Sequence, residues 1–221
     1  MWPWSEIRLL KDALRLYTGE HVLSRVLASR ERALALSGDI ADLTLMFVDI
    51  ASLSSTEGLA PGQLSGFMAE YLEIVTANIN AHEGTVDSYN GDAVFAWWDS
   101  DDSRVNARNA CNCAKQIVAR INSQNALWAI QSLPALQIKI GINSGAVLLG
   151  NYGTASRIRF TALGSHVNLA SRLCELAGSV YAVPVVISGN TNSLLPSDIA
   201  AKLLASVEVM GVVGSVQLFA I

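Results

Sequence analysis

Two aspartates stand at the edges of apolar segments in this sequence. Asp49 lies near the end of LTLMFVDI, and Asp92 follows Asn90-Gly91 within TVDSYNGDAVFAWW. Asn-Gly between apolar runs predicts a β-hairpin, in which Asp92 opens the second strand. If the strands that carry the two aspartates are neighbours in one sheet, both carboxylates reach the same rim and can hold a hard divalent cation. The alternative is that each aspartate faces solvent beside a turn, as most acidic residues do.

A second polar group lies in the segment GSHVNLASR. Asn168 and Arg172 are four residues apart, so on a helix they project from one face. An amide beside a guanidinium suits a phosphate or a developing oxyanion. The alternative is an exposed asparagine and an arginine paired with an acid such as Glu175. Ser165 is expected to cap this helix, and His166 is expected to be a surface or packing residue.

The elements that must position these residues follow from periodicity and turn signals. The sequence predicts helices over residues 4–16, 20–36, 62–81, 103–123 and 165–178. Besides the hairpin, it predicts strands over 43–50, 136–142, 145–150, 157–162, 183–187, 206–210 and 216–220. The segment Asp101-Asp102-Ser103 predicts the cap of the fourth helix. Strands that pair through hairpins, with helices between them, favour an α+β fold with a mostly antiparallel sheet.

Composition narrows the class of protein further. The 221 residues, 51% of them hydrophobic, suit one globular domain with a small appendage. A net charge of −4 argues against nucleic acid as a partner. No segment predicts a membrane span or a signal peptide. Cys111, Cys113 and Cys174 lack the spacing of a metal site, so we expect reduced packing residues and a cytoplasmic location.

Four segments taken together resemble successive motifs of one enzyme family. They are LTLMFVDI, GTVDSYNGDAVFAWW, IKIGINSGAVLLGNYG and FTALGSHVNLASRLCEL, in that order. Residues 40–221 thereby resemble the catalytic domain of class III nucleotide cyclases of bacterial type, the adenylyl and guanylyl cyclases. Residues 1–39, which contain LYTGEHVLSRVLA, resemble more weakly the transducing element that often precedes such domains. We therefore expect a helical N-terminal extension over residues 1–39 and a catalytic domain over residues 40–221.

The resemblance implies a ferredoxin-like α+β domain that works as a head-to-tail homodimer with shared active sites. It places Asp49, the backbone carbonyl of Ile50, and Asp92 on positions that hold two divalent cations, Mg²⁺ or Mn²⁺. Asn168 and Arg172 fall on positions that orient the ribose and stabilise the transition state from the partner chain. The implied reaction is attack of the ribose 3′-oxygen on the α-phosphorus of a nucleoside triphosphate, which releases pyrophosphate and a 3′,5′-cyclic nucleotide.

Two residues fall on the positions with which the family distinguishes purines. Thr161 is a residue that accompanies adenine, so it favours ATP. Ser88 stands where adenylyl cyclases usually have lysine and guanylyl cyclases glutamate. A serine hydroxyl both donates and accepts, so it rejects neither base strongly. The alternative for Ser88 is an exposed strand residue without a role in base choice.

Two departures from the family pattern concern substrate binding. Met210 stands where the family often has a phosphate-binding lysine, and Lys139 or Arg157 are the candidates to replace that cation. The segment Ala51-Ser52-Leu53 stands where the family usually has Gly-Phe. We expect a cyclase that makes cyclic AMP from ATP, slowly and with lax base choice. The alternatives are a cyclase that makes cyclic GMP or both products, and a silent cyclase-like domain that regulates another cyclase.

Overall fold

The structure is a computed structural model, and it describes residues 4–51, 58–209 and 214–221. Its helices are α1 Trp4–Thr18, α2 Glu20–Ala28, α3 Arg30–Leu34, α4 Pro61–Ala81, α5 Ser103–Ile130, α6 Ser165–Ser179 and α7 Gly189–Leu194. Its strands are β1 Gly38–Ile50, β2 Thr85–Asn90, β3 Ala93–Trp98, β4 Ile138–Thr154, β5 Arg157–Leu163, β6 Val185–Ser188, β7 Lys202–Glu208 and β8 Ser215–Ala220.

All eight strands belong to one sheet of order β2-β3-β1-β4-β6-β8-β7, with β5 paired to β4. The pairs β1–β3, β2–β3, β4–β5, β6–β8 and β7–β8 are antiparallel, and the pair β4–β6 is parallel. The predicted α+β fold with a mostly antiparallel sheet is therefore confirmed. None of the helices in the described part of the chain has the length and apolarity needed to cross a bilayer.

The chain divides into two compact units, of which the larger comprises Ala41–Val147 and Gly164–Ile221. Side chains alternate between the two faces of its sheet. On β6, Val185 and Ile187 join the apolar core that contains α4 and α5, whereas Val186 joins the cluster that contains α6. The sheet is consequently covered by α4 and α5 on one face and by α6 on the other.

Helices α4 and α5 begin where the sequence predicts and pack through aromatic residues. Pro61 takes the first position of α4, and the side chain of Asp102 accepts a hydrogen bond from the Arg104 amide at the start of α5. The rings of Phe67 and Trp128 meet edge to face, with centroids 4.7 Å apart. Trp97, Trp98 and Trp128 are each no more than 1% exposed. The core of the larger unit is therefore rich in buried indole rings.

The smaller unit comprises Met1–Ile40 and Leu148–Leu163. Asn151 on β4 donates side-chain hydrogen bonds to the carbonyl oxygens of Ala33 and Ala35, at 3.1 and 2.8 Å. These carbonyls lie at the end of α3, where a helix has no intrahelical donors for them. The guanidinium of Arg25 lies 4.1 Å from the centroid of the Phe160 ring. The short N-terminal helices are thus attached to the β4–β5 hairpin.

Two strands predicted around residue 145 are in fact one. Strand β4 replaces the predicted strands 136–142 and 145–150 and takes in most of the predicted loop NYGTAS. The glycines of this segment suggest breaks, but they allow close packing instead. A Cβ on Gly145 would lie 2.5 Å from the His166 ring, and a Cβ on Gly150 would lie 2.2 Å from the Ser37 carbonyl oxygen. The predicted break was therefore wrong.

Helix boundaries also differ from the prediction. Ser29, with extended backbone angles, separates α2 from α3, so residues 20–36 are not one helix. Helix α6 has Gly164 rather than Ser165 at its N-cap and no side-chain cap. Helix α7 was not predicted, because its polar segment GNTNSL lacks an apolar period. The Ser188 hydroxyl starts it by accepting a hydrogen bond from the Thr191 amide at 3.1 Å.

Candidate active site

The two aspartates of the predicted metal site lie at the same end of neighbouring strands. Asp49 is the penultimate residue of β1, and β1 pairs with β3 so that Val48 faces Val94. Asp92 belongs to the two-residue turn Gly91-Asp92, because Asn90 pairs with Ala93. The prediction that Asp92 opens the strand was therefore wrong by one position. Gly91 has φ of +66°, the conformation that glycine adopts most readily.

The carboxyl groups of Asp49 and Asp92 lie close enough to share a hydrogen bond. Burial raises the pKa of Asp92, and the hydrogen bond and charge of Asp49 raise it further. The amides of Asp92 and Ile50 oppose this rise by donating to the Asp92 carboxylate. The structure therefore holds two like-charged groups together in a partly buried position, an arrangement that a cation would relieve.

The donor set at this position fits a hard divalent cation. Two carboxylates and a backbone carbonyl are the oxygen ligands that Mg²⁺ and Mn²⁺ prefer. Within the described residues, no cluster of three His, Cys, Asp or Glu side chains exists. The Ile50 carbonyl oxygen that the sequence predicted as a third ligand belongs to the residue next to Asp49.

Lys139 on β4 provides the positive charge next to this pair. Its Nζ lies 3.0 Å from Oδ2 of Asp49, and the two side chains are 19% and 27% exposed. Burial lowers the pKa of Lys139, but the hydrogen bond and charge of Asp49 outweigh burial and raise the pKa overall. The sequence suggested Lys139 only as a phosphate contact without a position. A single lysine between apolar residues in LQIKIGI does not predict an ion pair with Asp49.

Tyr71 on α4 contacts the other aspartate, and sequence reasoning missed it. Its hydroxyl donates a hydrogen bond to the backbone carbonyl oxygen of Asp92 at 3.1 Å. The side chain is fully buried, and burial followed by the charges of Asp49 and Asp92 raises the pKa of the phenol. Tyr71 follows Phe67 and precedes Val75 at helical spacing, so the sequence indicates only a core residue.

Asn168 and Arg172 are exposed on α6, as their four-residue spacing predicts. The Arg172 guanidinium donates to Oε2 of Glu175 at 2.7 Å, the ion pair that we considered as the alternative to a catalytic role. Within this chain, neither Asn168 nor Arg172 forms a hydrogen bond or ion pair with Asp49 or Asp92. One copy of the chain therefore does not bring the two predicted groups together through direct contacts.

The start of α6 is fixed to β4 by Asn143. The Asn143 amide nitrogen lies 3.0 Å from the carbonyl oxygen of His166 and 3.1 Å from its Nδ1. The His166 ring also packs against Gly145. Because glycine has no side chain, the ring has room at this position. His166 thus takes the packing role that the sequence indicated. The contact sets the position of α6, which carries Asn168 and Arg172 further along.

The two predicted purine-binding residues belong to different units. Ser88 is half-buried on β2, next to a register irregularity that opposes Ser88 to Phe95. Thr161 is buried on β5 and pairs with Gly150. Met210 and the segment Ser52-Leu53 lie outside the described residues, so the two predicted departures in substrate binding stay predictions.

The three cysteines confirm the expectation of reduced packing residues. Cys111, Cys113 and Cys174 are free and buried, and burial raises the pKa of each thiol to about 12. Sγ of Cys174 donates to the backbone carbonyl oxygen of Lys139 at 3.2 Å. These thiols therefore stay protonated at neutral pH and serve as core residues.

The fold and this site define an α+β domain with paired carboxylates at one rim of its sheet. The family model described as the adenylate and guanylate cyclase catalytic domain matches residues 37–221. This match covers most of the chain, and the chain belongs to that family, as the sequence motifs predicted.

Individual relatives agree with the family assignment. The chain is 34% identical to adenylate cyclase 1 of Rhizobium meliloti (strain 1021) over 67% of its length, and 30% identical to adenylate cyclase of Anabaena cylindrica over 76%. It spans only 22% and 34% of those two proteins. The matched relatives are thus considerably longer proteins.

Solved structures share the fold. Adenylyl cyclase CyaB from P. aeruginosa is 28% identical with a TM-score of 0.74, and the match covers 84% of this chain and 95% of that one. Guanylyl cyclase Cya2 is 25% identical with a TM-score of 0.75, covering 84% and 93%. Similarity thus extends to structures of both adenylyl and guanylyl cyclases.

Proposed function

We propose that this chain is the catalytic part of a nucleotide cyclase that converts ATP to 3′,5′-cyclic AMP and pyrophosphate. The observation that carries the proposal is the approach of Asp49, near the end of β1, and Asp92, in the turn before β3, at one rim of the sheet. Family membership supports the reaction type, and the names of the two curated relatives support the adenine nucleotide.

Two Mg²⁺ or Mn²⁺ ions would be held by the carboxylates of Asp49 and Asp92 and by the carbonyl oxygen of Ile50. When bound, such ions lower the pKa of the ribose 3′-hydroxyl and neutralise charge on the triphosphate. The chain's own contribution is to hold two carboxylates together before any ion arrives. Lys139 limits their repulsion by pairing with Asp49.

The reaction forms one bond and breaks another at the α-phosphorus. The ribose 3′-hydroxyl releases its proton to solvent, its oxygen attacks the α-phosphorus, and the bond from that phosphorus to the bridging β-phosphate oxygen breaks so that pyrophosphate leaves. Arg172 would supply a fixed positive charge to the reacting phosphoryl group, and Asn168 would orient the ribose. Because neither contacts the aspartates within one chain, we propose that both act from a second copy in a head-to-tail homodimer.

Base choice is the least constrained part of the proposal. Thr161 favours adenine, whereas Ser88 can donate to or accept from either purine. The similarity to guanylyl cyclase Cya2 keeps GTP as the second candidate substrate. The greater length of the relatives supports a further proposal, that an upstream sensor domain regulates this part in the cytoplasm.

The decisive experiment is a side-by-side assay of the purified chain with ATP and with GTP, each with Mn²⁺ and with Mg²⁺. We expect cyclic AMP and pyrophosphate in equal amounts, and less or no cyclic GMP. Faster turnover of GTP would assign a guanylyl cyclase. No product from either nucleotide, with a folded protein, would favour the silent regulatory domain instead.

Shared active sites are tested by mixing two inactive variants. Asp49→Ala and Arg172→Ala chains should each lose activity alone, because each lacks one half of every site. A mixed dimer rebuilds one intact site, so the mixture should recover part of the wild-type rate. Mixing Asp49→Ala with Asp92→Ala is the matched control, since both changes fall on the same half and no recovery should follow.

A further inference from the structure

Helix α4 is joined to the β2–β3 hairpin by two tyrosine hydroxyls. Tyr71 on α4 donates to the backbone carbonyl oxygen of Asp92 at 3.1 Å. The hydroxyl oxygen of Tyr89 on β2 lies 2.8 Å from the hydroxyl oxygen of Thr76, which is also on α4. The first bond is partly buried and ends on the turn that carries a candidate metal ligand, and the second lies in an exposed position on the hairpin.

The turn that carries Asp92 has few constraints of its own. It consists of two residues, of which Gly91 is exposed, has positive φ, and would have no atom within 4 Å of an added Cβ. The carboxylate of Asp92 moves with this backbone, whereas Asp49 is held within a strand. A bond from the rigid, fully buried Tyr71 side chain to the Asp92 carbonyl therefore fixes one of the two carboxylates relative to the other.

We propose that Tyr71 is a positioning residue of the metal site. Its hydrogen bond holds the Asp92 turn in the position from which both carboxylates bind one cation. This inference rests on the proposed function, since it assumes that Asp49 and Asp92 bind divalent metal. A phenol that faces a carbonyl oxygen must donate, so phenylalanine removes the bond while keeping the ring in the core. The carboxylates remain, but their separation is then set only by the contacts of the Asp92 carboxylate with Asp49 and with the Ile50 amide.

The test is Mn²⁺ binding to the full chain without nucleotide, measured by electron paramagnetic resonance. Tyr71→Phe should weaken Mn²⁺ binding about fivefold, the effect expected for one ordinary hydrogen bond. Tyr89→Phe removes a phenolic bond between the same helix and hairpin and should leave binding unchanged. In turnover assays, Tyr71→Phe should raise the Mn²⁺ concentration for half-maximal rate and leave the rate at saturating Mn²⁺ nearly unchanged.

Each outcome separates this inference from the proposed function. If Asp92→Ala binds Mn²⁺ as the wild type does, the proposed metal site is wrong. If Asp92→Ala loses binding and Tyr71→Phe keeps wild-type affinity, only the positioning role is wrong. If Tyr71→Phe and Tyr89→Phe weaken Mn²⁺ binding equally, the hairpin has loosened in general, and the positioning role of Tyr71 is again wrong.

A second variant covers the case in which Tyr71→Phe does not fold. Gly91→Ala disfavours the φ of +66° without touching the core, so it shifts the turn against the bond from Tyr71. We expect weaker Mn²⁺ binding and a melting temperature lowered by a few degrees, with the protein still folded. Unchanged affinity in Gly91→Ala would mean that the backbone of this turn does not set the metal site, and the proposal would be rejected.

Discussion

Lys139 and Asp49 form an ion pair in which Nζ lies 3.0 Å from Oδ2. The lysine lies on β4 and the aspartate on β1, which are adjacent strands of the sheet. The pair places a fixed positive charge against a carboxylate that we propose as a metal ligand. Lys139 therefore both stabilises the metal-free fold and opposes the approach of a cation.

Removal of the Lys139 charge should strengthen metal binding. We expect Lys139→Met to bind Mn²⁺ roughly fivefold more tightly, because an ion pair of about 1 kcal/mol no longer competes for Asp49. Titration of the nucleotide-free chain with Mn²⁺ measures the change. Lys115→Met, at an exposed position on α5, is the control for loss of one positive charge. Weaker binding in Lys139→Met would show that Lys139 supports the metal site instead.

Asp92→Asn should abolish activity and stabilise the metal-free protein. The pKa of Asp92 is raised, so the folded state binds its proton more tightly than the unfolded chain does. The stability that protonated Asp92 contributes is therefore present at low pH and is lost as the pH rises through the folded-state pKa. Above that range of pH the raised pKa of Asp92 opposes folding, and asparagine, which cannot ionise, avoids this cost.

Urea denaturation of the two proteins at pH 7 without metal checks this prediction. Asp92→Asn should unfold at a higher urea concentration than the wild type. The difference between the two midpoint concentrations should shrink at a pH low enough to protonate Asp92 in the wild type. Turnover should fall more than about a hundredfold, since a direct metal ligand matters more than the residues that orient ligands. Equal stability of the two proteins at pH 7 would contradict the prediction.

Arg172 and Glu175 separate the catalytic interpretation of α6 from the alternative of a surface ion pair. Arg172→Ala should lower kcat about a hundred- to a thousandfold, as loss of a transition-state donor does. Glu175→Gln breaks the same 2.7 Å pair and should keep kcat within about twofold, because exposed ion pairs contribute little stability. Mn²⁺ binding and melting temperature should stay unchanged in both. Full activity in Arg172→Ala would show that Arg172 is not catalytic and serves only in the surface ion pair with Glu175.

Two glycines should respond in opposite directions to the same substitution. A Cβ on Gly141 of β4 would lie 2.1 Å from the Cys174 amide nitrogen and 2.3 Å from the Ala170 carbonyl oxygen, so α6 would have to move. Gly141→Ala should lower the free energy of unfolding by about 1–3 kcal/mol and reduce activity by shifting α6. Urea denaturation with a parallel activity assay measures both.

Gly66→Ala is the matched control for that change. Gly66 is exposed in the interior of α4, and nothing lies within 4 Å of an added Cβ. Alanine there should raise the free energy of unfolding by about 0.5–1 kcal/mol, because it restricts the unfolded chain and favours the helix. A loss of stability in Gly66→Ala, or none in Gly141→Ala, would contradict this account of the two positions.

The sequence predicted those parts of the molecule that local pattern determines. Apolar periodicity located α4 and β1, and Asn90-Gly91 located the hairpin, although the turn itself is one residue later. Acid residues beside apolar strands led to Asp49 and Asp92 as candidate metal ligands, and that role stays a prediction. The predictions of α4, β1 and the hairpin succeeded because each depends on residues a few positions apart.

The parts that were missed depend on contacts between distant segments. Lys139 and Tyr71 look like ordinary strand and core residues, since their partners lie 90 and 21 residues away in the sequence. The continuity of β4 was missed because its glycines meet the His166 ring and the Ser37 backbone rather than a turn. No local pattern records such neighbours.

The buried indoles of Trp97, Trp98 and Trp128 give the larger unit an optical signature of its own. Their emission should be blue-shifted in the native state and should move to longer wavelength when that unit opens to water. Trp4, 88% exposed on α1, already emits as a solvated indole and contributes a nearly constant background. The emission of these three indoles therefore reports on the melting of the unit that holds both aspartates, and its comparison with calorimetry reveals whether the smaller unit melts at the same temperature.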